Sequence, residues 1–159
     1  MNEKMTPAGA EPIDPKAEIK RLMQLPKAAF GTLAQRDGAS YPSVSLTVPA
    51  LDAIGMPLLL LSDLSDHVRN LGNSPKASLL FDGTGGINEP LTGPRVTLLG
   101  DVAETKDPAH RAAYLAARPD AAFYADFKDF RFYRFAVAEA LLVAGFGRIH
   151  RLMAGDLWP

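Results

Sequence analysis

The residues of this chain best placed to do chemistry fall in one stretch, Pro57 to Phe81, PLLLLSDLSDHVRNLGNSPKASLLF. Leu58 to Leu61 are apolar without alternation, which predicts a strand covered on both faces. Ser62 and Asp63 break the run. Leu64, Val68 and Leu71 then recur at helical spacing until Asn73, Ser74 and Pro75 stop the helix. A strand that ends in a hydroxyl and opens into a helix sets unpaired backbone N–H groups beside a Ser side chain, and such a corner attracts an anion, usually a phosphate. Ser62, His67 and Arg69 are the candidate donors, with Arg95 as a further cation from a later strand. Asp63 and Asp66 suit the helix dipole but repel an anion. At about 100° per residue, His67 and Arg69 also point about 160° apart, so one group cannot meet both from the same face. The plain alternatives are a surface ion pair between Asp66 and Arg69, three residues apart, and a packing role for His67.

Other chemistries are excluded by residue type. There are 0 Cys, which removes disulfides, thiolate metal sites and cysteine nucleophiles. No Asp/His/Ser set suggests a hydrolase, and His67, His110 and His150 lie too far apart for a local metal motif, so no metal is expected. The loop DGTGGINEPLTGP (82–94) lacks the Lys-Ser/Thr ending of a phosphate-binding loop. A net charge of -1 and a pI ≈ 6.3 argue against nucleic acid. The aromatic-basic run FKDFRFYRF (127–135) is explained better by strand alternation than by base stacking. With no leader-like segment and no bilayer-length apolar run, a cytoplasmic protein without a membrane partner is expected.

These residues must be positioned by a single core, since 159 residues with 47% hydrophobic content can enclose one but hardly two. Residues 1–13 read as a loose tail. Asp14-Pro15 opens a short helix ending near Pro26. Phe30 to Gln35 form a strand, joined through an Asp37-Gly38 turn to a partner, Tyr41 to Leu51. On that partner Ser43, Ser45 and Thr47 alternate with Val44, Leu46 and Val48, giving one hydroxyl-bearing side and one apolar side. Arg95 to Glu104 form a further strand, and Asp107-Pro108 starts a helix closed by Pro119. A helical turn around Phe123 to Phe127 precedes a closing hairpin, Phe130 to Val137 and Ala140 to Phe146. The sum is a mainly β (α+β) protein: six to seven short antiparallel strands in a barrel with three short outer helices, one domain over residues 14–159. Open barrel edges favour a dimer.

Four pieces in order carry a resemblance: LLLSDLSDHVRNL with SPKASLLF, GPRVTLLGDVAE (93–104), AAYLAARPDAAFYADFKDFRFYRF (112–135) and LLVAGFGRIHRL (141–152). From about Ala28 onward the chain resembles the FMN-binding split-barrel family, which includes pyridoxamine 5′-phosphate oxidases. It is most similar to the haem-utilisation subgroup, which carries a comparable Ser-Asp-Leu…His…Arg-Asn-Leu run. The resemblance implies a homodimeric split β-barrel with two flavins at a two-fold interface and FMN as cofactor. It implies Ser45, Thr47, Val48, Leu61, Ser62, His67, Arg69 and Arg95 as cofactor-binding residues. Tyr114, Arg118, Arg148 and His150 match positions that bind substrate in the vitamin oxidases.

The chain departs from those oxidases in several places. An adjacent Arg-Lys pair is replaced by His67 and Val68, basic second-strand positions by Ser43, Ser45 and Thr47, and a substrate serine by Ala122. The haem-linked members usually carry a second C-terminal domain, and parts outside the barrel contribute to haem cleavage, so haem is weighed as a bound ligand and not as a cleaved substrate. The resulting expectation is an oxidoreductase passing electrons from a reduced nicotinamide through FMN to a small-molecule substrate or O₂, with no catalytic protein residue. Two alternatives stand beside it: a non-catalytic FMN- or haem-binding or sensing module, and a pyridoxamine 5′-phosphate oxidase.

Overall fold

Asp14 accepts the backbone N–H of Lys16 at 3.0 Å and Pro15 presets the first helical φ, so α1 (Pro15–Leu22) starts where its sequence predicts. The computed structural model describes residues 11–159. The expected N-terminal tail therefore lies, for residues 1–10, outside the described residues. Ile19 and Leu22 of α1 are fully buried in the core, each contributing roughly 1.5–3 kcal/mol through removal from water.

The next elements follow from local chemistry. β1 (Ala28–Arg36) and β2 (Ala39–Thr47) are joined at Asp37 and Gly38, whose φ values of 49° and 79° make the two-residue turn that matches strand twist. The predicted long second strand is interrupted. Val48 and Pro49 separate β2 from a short β3 (Ala50–Leu51), because Pro49 cannot donate to a ladder. β4 (Pro57–Ser62) is buried on both faces, as its continuous apolar run predicts. Leu59 and Leu61 enter the main core, while Leu58 and Leu60 enter a second cluster with Tyr114, Ala121 and Ala125.

Ser65 caps α2 (Asp66–Asn73), accepting from the Val68 amide. The predicted apolar edge is shorter than its spacing suggests. Val68 and Leu71 pack on the core, but Leu64 precedes the helix and is exposed. Asn70 takes the buried position instead and donates to Thr32 Oγ1 at 3.0 Å. β5 (Lys76–Asp82), β6 (Arg95–Glu104) and α3 (Pro108–Ala117, capped by Asp107) match their predicted places.

The predicted closing hairpin is a correction. Residues 130–145 form one strand, β7 (Phe130–Gly145), and its hairpin partner is β8 (Arg148–Met153). Ala138 and Glu139 offer no turn chemistry, so the chain continues through a bulge opposite Leu99 and Gly100 rather than reversing. Gly145 and Gly147, both at positive φ, supply the actual turn. A one-turn α4 (Ala154–Leu157) adds a helix that the sequence reading lacks.

The result is an eight-stranded antiparallel sheet in the order β2-β1-β5-β6-β7-β4-β3, with β8 also paired to β7. The described residues hold eight strands and four α-helices against the six to seven and three expected, and the α+β split-barrel class stands. Among the described residues no helix is long and apolar enough to cross a membrane.

Sheet β2 faces the opposite way from an ordinary surface strand. Its hydroxyl side turns inward, with Thr47 6% exposed, while Val44 and Leu46 are 73% and 68% exposed. Across the register, Val44 meets Gly31, Ser78 and Leu99 in one row, and Leu46 meets Ala29, Leu80 and Thr97 in the next. Val44, Leu46, Leu80 and Leu99 are therefore exposed apolar side chains on one outer sheet face, interspersed with Gly31, Ser78 and Thr97.

Candidate functional site

β2, β4, α2 and α3 converge on a cavity of about 390 Å³. Thr47 and Val48 come from the end of β2, Leu61 and Ser62 from β4, His67 from α2 and Tyr114 from α3. Leu46, Leu60, Ser65, Tyr124 and Phe130 complete the wall, which is mostly apolar and aromatic. Seven of the sequence-nominated residues are therefore brought together, counting Ser45, which touches His67 from behind.

His67 is the polar group with most chemical capacity here. Its ring is half-buried, 5.5 Å from that of Phe30. Burial pushes its pKa below 6.5, although Asp66 pulls the other way, so the imidazole is neutral at neutral pH. Ser45 Oγ lies 3.0 Å from Nδ1 and 3.5 Å from the Phe30 carbonyl oxygen. In the tautomer that carries the proton on Nδ1, the Ser45 oxygen accepts from Nδ1–H and its hydroxyl is free to donate to the Phe30 carbonyl, which can only accept. That tautomer leaves Nε2 as a lone pair, and no hydrogen bond engages that atom among the described residues.

The hydroxyl corner is arranged differently from an anion cradle. Ser62 Oγ donates to Asp129 Oδ2 at 2.5 Å and accepts from the Leu64 amide at 3.1 Å. Ser65 Oγ donates to the Ser62 carbonyl at 2.6 Å. A carboxylate held against the corner disfavours a phosphate there. Ser65, Tyr124 and Phe130, which line the cavity, and Asp129, which holds Ser62, were missed by the sequence reading. Only Ser65, as a helix cap followed by Asp66, carried a local signal.

The nominated cations stay outside this cavity. Arg69 pairs with Asp66 at 2.9 Å, the plain alternative stated for it. Arg95 donates to the carbonyls of Leu91 and Gly93 at 3.0 and 3.1 Å, bracing the loop before β6. Arg118 clamps the Pro49 carbonyl with Nε and Nη2, at 3.0 and 2.7 Å. Tyr114 donates to the Val48 carbonyl at 2.7 Å, and burial pushes its pKa up to about 12, so it remains a donor. Tyr114 on α3 and Arg118 at its C-cap thus fix Val48 and Pro49 beside the cavity, which Tyr114 lines and Arg118 does not. Arg148 donates to the Glu11 carbonyl at 2.6 Å and lines a different, smaller cavity with His150.

A larger cavity of about 490 Å³ lies between the β3–β4 turn and α3. Its polar groups are largely engaged with one another. Asp52 accepts from Arg134 at 2.8 Å and from the Ile54 and Met56 amides. Burial alone would raise the Asp52 pKa, but those donors overcome it and hold the carboxyl below the usual range. His110 Nδ1 meets Thr105 Oγ1 at 2.7 Å. This cluster reads as a structural clamp.

Comparison with known proteins bears on the family and the fold. The chain matches the family described as "CREG, beta-barrel" over residues 26–158. It is 36% identical over 136 residues to "Non-canonical heme oxygenase HOZ, chloroplastic" of Arabidopsis thaliana, covering 84% of this chain and 41% of that protein. The chain therefore spans well under half the length of that curated relative. A heme binding protein from Mycobacterium smegmatis superposes with TM-score 0.79 at 29% identity, over 93% of this chain and 61% of that one. A protein from Clostridium acetobutylicum related to general stress protein 26, of the pyridoxinephosphate oxidase family, gives TM-score 0.65 at 17% identity over 92% and 100%. At that identity the likeness concerns the fold alone.

Proposed function

The chain belongs to the CREG β-barrel family, and from that premise we propose that it binds haem in the cavity His67 enters. The observation that supports this reading is the placement of His67: half-buried, lining an apolar, aromatic cavity, with its pKa lowered by burial and Nδ1 held by Ser45. Iron takes a neutral imidazole nitrogen as ligand, and ligating histidines are held through the other ring nitrogen by a hydrogen-bonding partner. Leu46, Val48, Leu60, Leu61 and Phe130 suit the apolar face of a tetrapyrrole. When bound, haem would supply redox and oxygen chemistry. The protein's own part is to orient the ring, present one lone pair and exclude water. The haem-related names of HOZ and the Mycobacterium protein support the same ligand class.

FMN as cofactor, with nicotinamide-dependent electron transfer, is the second reading. It is favoured by the split-barrel fold and by the inward hydroxyls of Ser45 and Thr47. Against it stand the Asp129 carboxylate at the hydroxyl corner and the engagement of Arg69 and Arg95 elsewhere. Titration with haem and with FMN separates the two. A Soret shift with haem, and no quenching of FMN fluorescence, is the expected result. The reverse pattern would reverse the ranking. Ser45→Ala, which removes the Nδ1 partner, is expected to weaken haem binding about tenfold to hundredfold while FMN-independent stability changes little.

We also propose that the site lies at a homodimer interface. Leu46 belongs both to the cavity wall and to the exposed apolar rows of the outer sheet face, so a second protomer covering those rows would close the cavity. Val44, 73% exposed, lies in those rows but not on the cavity. Val44→Arg is expected to convert a dimer into a 17.1 kDa monomer by light scattering. A wild-type protein already monomeric at micromolar concentration would remove this part of the proposal.

A further inference from the structure

An aromatic ridge runs from the cavity wall out into solvent. Tyr124 and Phe130 line the cavity and pack on each other at 4.9 Å between centroids. Phe127 meets Phe130 edge-on at 6.3 Å, and Phe123 meets Phe127 edge-on at 5.9 Å. Moving outward, Phe127 is 49% exposed and Phe123 is 83% exposed, the highest value for any large apolar side chain among the described residues.

Their exposure is built in rather than a consequence of looseness. The backbone runs through successive tight turns, with the Phe127 amide on the Tyr124 carbonyl and the Phe130 amide on the Phe127 carbonyl, each at 3.0 Å. Ala121 and Ala125, 2% and 5% exposed, pin the segment to the cluster under β4. With the small residues inward, the phenyl rings are held outward. Two rings kept in water at the end of a continuous aromatic series that begins on the cavity wall offer π faces and edges for stacking.

We propose that Phe123 and Phe127 form an aromatic lip that stacks on the part of a planar ring ligand protruding from the cavity, extending the binding site beyond its enclosed volume. This rests on the tetrapyrrole reading above and adds residues that would select for a large conjugated ring. Stacking does not depend on the metal, whereas His67 acts only through iron. The two contributions therefore separate when haem is compared with metal-free protoporphyrin IX.

The test measures the affinity of the full chain for both ligands, by Soret titration and porphyrin fluorescence anisotropy, with oligomeric state followed by light scattering. The Phe123→Ala/Phe127→Ala double variant is expected to lose roughly tenfold to hundredfold in affinity for both rings alike. Its oligomeric state should stay that of the wild type, and Phe127→Trp on the Phe123→Ala background should recover part of the loss where Phe127→Leu on that background does not. Wild-type affinity for both rings in the double variant would overturn the lip while leaving haem binding intact. So would equal rescue by Leu, or a changed oligomeric state, which would assign the ridge to protomer contact. Failure of the wild-type chain to bind either ring would instead sink the tetrapyrrole reading itself, and the lip with it.

Discussion

His67→Ala is expected to abolish the shifted Soret band of the haem-loaded protein and to raise the haem dissociation constant by about 100-fold or more. Loss of a single outer partner of a metal ligand already costs about 10–100-fold, and loss of the ligand itself should exceed that. The ring also packs beside Phe30, so a truncation could act through packing alone. His67→Phe separates the causes, since it fills the space without a lone pair and should lose haem just as fully. His67→Gly with added imidazole should regain the spectrum. Metal-free protoporphyrin, which needs no ligand, should bind the Phe variant near wild-type strength. An unchanged Soret position in all three variants would show that iron finds its ligand elsewhere.

The pH dependence has a definite sign. Because burial lowers the His67 pKa below 6.5, the ligating neutral form predominates above 6.5 and is lost as pH falls through that lowered value. Haem affinity should therefore be flat from neutral pH upward and decline on acidification. The unfolded chain, with an ordinary histidine, takes up the proton first. The His67 contribution to the stability of the ligand-free fold consequently declines over the interval between 6.5 and the folded pKa.

Much of this architecture was legible because it rests on short-range chemistry. The Asp37-Gly38 turn, the Asp14-Pro15 and Asp107-Pro108 helix starts and the unbroken Leu58 to Leu61 run each specify their element within a few residues. The separation of His67 from Arg69 around α2 was legible too, and the structure keeps them on different tasks. What stayed hidden depends on distant pairing. Ser62 meets Asp129 across 67 positions of sequence, and Tyr114 reaches the Val48 carbonyl across 66, with no local pattern announcing either. The continuity of β7 was missed for a related reason. Its bulge is stabilised by β6, and alternation within 130–146 alone does not distinguish a bulge from a reversal. The inward turn of the Ser43, Ser45 and Thr47 side depends on which face of the sheet the core occupies, and a strand's own residues do not decide that.

Gly100→Ala is expected to destabilise the fold by about 2–3 kcal/mol, near the upper end for overpacking, and to lower the melting temperature by roughly 5–10 °C. A Cβ at Gly100 would lie 2.2 Å from the Ala136 carbonyl oxygen and 2.6 Å from Phe135 Cε1. The first is backbone of β7 paired on both sides of the bulge, and the second belongs to a fully buried ring, so neither can give way cheaply. The close approach is created by the bulge itself: the extra residue of β7 swings its backbone against β6 at the one position lacking a side chain. Loss of unfolded-state freedom works the other way but amounts to only about 0.4–1 kcal/mol, so the clash decides the sign. Gly72→Ala in α2 is the matched control, with nothing within 4 Å of its added Cβ. Helix propensity should make that variant about 0.5–1 kcal/mol more stable than wild type. Urea unfolding of both variants reads the contrast directly. If Gly100→Ala proves as stable as wild type, β6 and β7 do not approach at that bulge, and the register that carries β4 and its cavity wall would have to be redrawn.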